Sequence, residues 1–191
     1  MSVDCIRRGR FLIFIFTLFF VQGSAYAREV KVANITITNL NGNLVVYSLN
    51  IEGAFTTEMK KAVLSGVPTT FSYLITLHRV RNLWADKEIA NIKATHTIEY
   101  NSMKKEFVVK RSWENYKPDV VQSFEEARKL MTEIDNLKIV PLSKLEKGKK
   151  YQVRAKAELS KMTLPLYLHY VLFFVSLWDF ETEWYSIDFT Y

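Results

Sequence analysis

Apolar and polar side chains alternate along most of this chain, as they do in strands with one buried face. In residues 30–38, Ile35 and Ile37 fall on the same side. Asn41-Gly42 then marks a tight hairpin turn, because both positions tolerate positive φ, and residues 44–51 form the returning strand. Phe71, Tyr73, Ile75 and Leu77 share one face of the next run. Beyond a turn at residues 82–87, a longer run sets Ala90, Ile92, Ala94, His96, Ile98 and Tyr100 opposite Lys93, Thr95, Thr97 and Glu99. A turn at Asn101-Ser102 leads into Phe107, Val109, Arg111 and Trp113. These three runs predict an antiparallel meander.

Two stretches change period from two to 3.6. Thr56 or Thr57 caps the first, in which Met59, Ala62 and Val63 recur at helical spacing before Gly66 and Pro68 stop it. The second opens on a capping box, Ser123 to Glu126, and carries Phe124, Ala127, Leu130, Met131 and Ile134 as its apolar stripe. Extended structure resumes over 137–142, where Pro141 argues for an edge or a strand end. Leu145, Gly148 and Tyr151, at steps of three, have the pattern of a tyrosine corner, whose phenol bonds back to the backbone upstream of its strand. Tyr151, Val153, Ala155 and Ala157 alternate, and residues 184–191 end the chain on a strict period of two. The predicted fold is mainly β (α+β), a Greek-key/Ig-like antiparallel β-sandwich with two short packing helices.

Two apolar runs do not alternate. Residues 11–21 follow Arg7, Arg8 and Arg10 and precede Ala25-Tyr26-Ala27, the arrangement that a signal peptidase reads. This run falls short of the ~20 residues of a spanning helix. The expected organisation is therefore a cleavable signal peptide over 1–27 and a single β-rich domain over 28–191, delivered to the periplasm. Residues 164–178 are the second run, with Tyr167, Tyr170, Phe173, Phe174 and Trp178. They are also short for a span and predict a buried strand or short helix, with an exposed aromatic surface as the alternative.

Charge and cysteine usage narrow the chemistry. The formal net charge is +6, and loss of Arg7, Arg8, Arg10 and Asp4 with the leader lowers it by two. The cations are dispersed rather than gathered into the dense patch of a nucleic-acid binder. Cys5 is the only cysteine and lies in the leader, so the exported domain has no disulfide, thiol nucleophile or thiolate ligand. His78, His96 and His169 form no i, i+4 pair, and a zinc site needs three or four convergent ligands. His96, on the apolar side of its strand, is expected as a hydrogen-bonded core residue. No Gly-x-Ser-x-Gly elbow and no phosphate-cradling glycine loop occur among six glycines. Asp179, Glu181 and Glu183 alternate on one face of the final strand and read as a solvated edge. No catalytic, metal or cofactor residue is assigned. The aromatic residues Trp84, Trp113, Tyr167, Tyr170, Trp178 and Trp184 are the candidate binding surface, since flat rings supply large contact area.

Trp84 with Asp86, the Gly148-Lys149-Lys150-Tyr151 turn, and Leu164-Pro165-Leu166 leading to Trp178 resemble exported bacterial proteins of the domain of unknown function 4390 family. The resemblance spans residues 30–191 in order of elements. It implies a mainly β exported protein of Gram-negative bacteria and an accessory role beside a membrane sensor, with no catalytic residues to carry over. The expected function is a non-enzymatic periplasmic binding or accessory protein of the cell envelope. Its partner would be an envelope protein, a lipid or a glycan, with peripheral membrane contact and no nucleic acid. Two other classes stay open. A small outer-membrane β-barrel fits the terminal alternation of Tyr185, Ile187, Phe189 and Tyr191. An enzyme using carboxylates or dispersed histidines is the third.

Overall fold

The computed structural model describes residues 30–114, 117–160 and 180–191. The predicted leader, Cys5, His169 and the run 164–178 lie outside the described residues. Two antiparallel sheets face each other across one apolar core. The smaller has β1 (Lys31–Leu40), β2 (Asn43–Glu52) and β7 (Glu133–Pro141) in the order β1-β2-β7. The larger comprises β3 (Thr69–Arg79), β4 (Lys87–Asn101), β5 (Glu106–Arg111), β6 (Pro118–Val121), β8 (Lys150–Leu159) and β9 (Tyr185–Thr190). Their order is β6-β5-β4-β3-β8-β9, so β8 returns beside β3 after the β3–β4–β5 meander, which is a Greek-key connection. Each sheet keeps two edge strands, so the described strands close into two layers and not into the single barrel considered from the sequence.

Local signals act as predicted at most of the joints. Asn41 and Gly42 adopt φ of 50° and 74°, and Leu40 pairs with Asn43 across the turn. The strand of Ile35 carries a bulge at Ala33, which brings Val32 and Ile35 into the core although they are three residues apart. Helix α1 (Thr57–Leu64) is capped by Thr56, whose hydroxyl accepts from Met59 N at 3.2 Å, and ends before Gly66 at φ 83°. Helix α2 (Phe124–Thr132) starts where Ser123 Oγ accepts from Glu126 N at 3.1 Å. Both helices carry the chain from one sheet to the other.

The second helix is shorter than its apolar stripe. Thr132 turns its hydroxyl back onto Arg128 O at 3.0 Å, Glu133 is already extended, and Ile134 enters the core from β7. Strand β6 had no signal in the sequence: it is four residues long and begins on Pro118, a pattern suited to an edge.

The two ends of the sandwich differ. At one end the helices meet a cluster of rings: Phe55 lies 5.1 Å from Phe71 and 5.5 Å from Phe124, and Phe71 lies 5.2 Å from Phe180. At the other end the chain turns in loops. The tyrosine corner holds this end together, with Tyr151 buried and its hydroxyl accepting from Glu146 N at 2.8 Å. Val80 N donates to Lys150 O at 3.0 Å, and Leu142 N to Gly42 O at 2.9 Å, tying three connections into one surface. Replacing Tyr151 with Phe removes only that corner bond. We expect a loss of about 1 kcal/mol of stability by urea unfolding, with the native spectrum retained.

Candidate functional site

The inward residues of β3, Phe71, Tyr73, Ile75 and Leu77, are fully buried. The alternate residues, Leu74, Thr76 and His78, therefore face outward and form the floor of an open groove of about 440 Å³. Glu88 and Asn91 from β4 bound one side, and Arg154 and Lys156 from β8 the other. Trp184, on the segment that leads into β9, closes the rim. Register explains the gathering: Thr76 pairs with both Asn91 and Arg154, and Leu74 with Lys156, so side chains of one row project together.

The groove carries paired charges of both signs and is partly unsatisfied. Lys156 Nζ lies 5.1 Å over the Trp184 ring and is also paired with Glu181. Arg154 lies 3.6 Å from Asp86 and donates to Gln152. His78 Nε2 is 3.9 Å from Glu88. Thr76 Oγ1 and His78 Nδ1 are shielded from bulk water yet have no hydrogen-bond partner among the described residues. Buried polar atoms normally have one, so an unpaired pair on a groove floor is a place where a polar ligand or water fits.

The aromatic residues named from the sequence do not form one surface. Trp184 lines the groove and is 46% exposed. Trp84 is 79% exposed beside Leu83 in the β3–β4 loop, at the loop end of the sandwich. Trp113 packs on the core, its ring 4.6 Å from His96 and 5.8 Å from the Arg111 guanidinium. Tyr167, Tyr170 and Trp178 lie outside the described residues. Glu181 and Glu183 keep their alternation, exposed on either side of Thr182, but precede the final strand instead of lying on it. Thr182 turns inward, accepting from Ala157 N at 3.0 Å and donating its own N–H to Ala157 O, and β9 begins only at Tyr185. Glu181 is drawn to Lys156 while Glu183 points to solvent, and Asp179 lies outside the described residues. Thr76, His78 and Arg154 were legible only as the polar positions of alternating strands.

The two most perturbed titratable groups belong to the core. His96 Nδ1 donates to Met131 O at 2.9 Å, and the Tyr73 hydroxyl donates to the same carbonyl. Burial lowers the His96 pKa to about 3, against the opposing pull of its bonds to the Met131 and Leu130 carbonyls, and the Arg111 charge lowers it further. Burial, with Glu133 adding to it, raises that of Tyr73 well above the ordinary phenol value. Arg111 itself is held by Glu114 at 2.8 Å and Asp119 at 2.9 Å. His78 and His96 lie on opposite faces of the large sheet, and among the described residues no three His, Cys, Asp or Glu side chains gather as a metal site requires.

This arrangement defines a two-sheet antiparallel sandwich with an outward sheet-face groove. The chain belongs to the domain of unknown function (DUF4390) family, whose model matches residues 27–188. No curated protein and no solved structure matches it.

An unfolded histidine titrates near 6.5, whereas folded His96 stays neutral to about pH 3, so protonation favours unfolding through that window. His96 thus contributes stability that is complete above pH 6.5 and falls by about 1.4 kcal/mol per pH unit below it, about 5 kcal/mol in all. Urea unfolding of wild type and His96→Gln checks this. The stability gap between them should narrow steadily from pH 7 to pH 4, and a constant gap would place the acid sensitivity elsewhere.

Proposed function

We propose that the protein is a non-enzymatic binding or accessory domain of the bacterial cell envelope that takes a polar ligand in the sheet-face groove. The observation that carries this reading is the pair of unpartnered atoms, Thr76 Oγ1 and His78 Nδ1, beneath a rim of Trp184, Lys156 and Arg154. A ring for stacking, two cations and shielded polar atoms suit recognition of a polar chain or a protein segment with exposed carbonyls and carboxylates. An accessory partner such as a membrane sensor would supply such a segment. The perturbed side chains that would otherwise raise an acid–base reading, Tyr73 and His96, are engaged with one backbone carbonyl in the core.

The proposed site of action is the periplasm, reached by the leader over residues 1–27. Among the described residues no helix is long and apolar enough to cross a membrane. Intact-mass analysis of the periplasmic fraction should find a chain beginning at Arg28; a chain retaining Met1 in the membrane fraction contradicts the leader.

The groove is tested by affinity capture from solubilised envelope with the exported protein as bait. One component should be recovered reproducibly with wild type, and its yield should fall at least about tenfold with Trp184→Ala, the scale of losing one aromatic anchor. Recovery that is indifferent to Trp184→Ala and to Arg154→Ala would overturn the assignment.

A further inference from the structure

At the loop end of the sandwich, two apolar side chains stand out into water. Leu83 is 90% exposed and Trp84 79%, adjacent at the tip of the β3–β4 loop. Around them the fold assembles cations from two separate connections. Arg81 lies in the loop itself and Lys87 opens β4 opposite Arg79. Lys144, Lys147 and Lys149 come from the β7–β8 connection, and Lys150 opens β8, where its carbonyl accepts from Val80 N of the loop. All six are exposed, and none has an ion-pair partner among the described residues. The acids of this end are largely engaged: Glu146 with Arg79, Asp86 with Arg81 N and Arg154, and Glu88 beside His78. Topology thus brings the 144–150 lysines beside Arg81 and Lys87, whereas Lys60, Lys61, Lys104 and Lys105 lie on α1 and at the β4–β5 turn.

We propose that this end docks on a bilayer surface bearing anionic phospholipid headgroups, with Leu83 and Trp84 inserted between them. A tryptophan and a leucine at a protruding tip match the amphipathic depth of the headgroup layer, where tryptophan concentrates. Ringed cations supply the complementary attraction to the anionic surface, each contributing separately. Neither signal holds a protein on a membrane strongly by itself, and together they do. The surface shares no lining residue with the sheet-face groove, so either site can fail without the other.

Flotation of the exported protein with vesicles tests the docking. Binding is expected to vesicles of phosphatidylethanolamine with phosphatidylglycerol and to weaken as salt is raised, with little binding to phosphatidylcholine alone. Leu83→Ser with Trp84→Ser should lower the partition coefficient at least about tenfold, from the apolar area withdrawn. Lys147→Gln with Lys149→Gln, which leaves the apolar tip intact, should lower it about fivefold for each charge removed. Trp184→Ala should bind vesicles as wild type does, which separates this surface from the groove. The proposal is overturned by absence of flotation with anionic vesicles, by equal flotation with both vesicle types, or by binding that survives both double substitutions.

Discussion

The Met131 carbonyl is the point on which the two layers of this protein are fixed to one another. It sits in the last turn of α2, where a helix leaves its carbonyls without partners. Two donors from the larger sheet reach it, the Tyr73 hydroxyl from β3 and His96 Nδ1–H from β4. Each donor is buried, so its bond is made in a medium where leaving it unmade is costly. The rings that carry the donors lie 4.6 Å apart at a tilt of 44°, and Trp113 packs on the imidazole at the same distance. Helix α2, and with it the crossing to β7, is thereby set against the sheet by polar geometry as well as by apolar packing. The donor role also fixes His96 as the neutral Nδ1–H tautomer.

From that constraint follows a division between interior and exterior. The odd-numbered side chains of β3 and β8 fill the core, and the even-numbered ones carry polar and charged groups to the outer face. Phenylalanines close the helix end, whereas short turns and basic connections make up the loop end. The groove and the Leu83–Trp84 tip therefore occupy different parts of the surface. Asp86 links them, since it caps the loop through Arg81 N and also reaches the groove residue Arg154.

Much of this was legible along the chain because the determinants are local. Asn41-Gly42, Thr56, Ser123 and Tyr151 each act within five residues, and each makes the bond or dihedral that its chemistry predicts. His96 was legible as a core histidine from its place on an apolar face. The misses share a physical cause, competition from distant partners. Ile134 fits a helical stripe, yet β2 recruits it into a strand through the Leu49 pairing. Glu181 and Glu183 fall before the final strand because β8 engages Thr182 through the Ala157 backbone and pairs regularly only from Tyr185 onward. Trp84, Trp113 and Trp184 looked equivalent in sequence, but register places them on a loop tip, a core wall and a groove rim. The groove itself arises only when β4, β3 and β8 lie side by side, and no single segment encodes it.

The central claim is that the outer face of the large sheet is kept for a partner while the perturbed interior groups hold the fold. Hydroxyl-radical footprinting of the protein, alone and with solubilised envelope, tests it most directly. Trp184 and His78 should lose reactivity when the envelope is added, with Trp113 little changed in both samples. Unchanged reactivity of Trp184 and His78, with protection appearing on the β1 edge of the smaller sheet instead, would contradict the account.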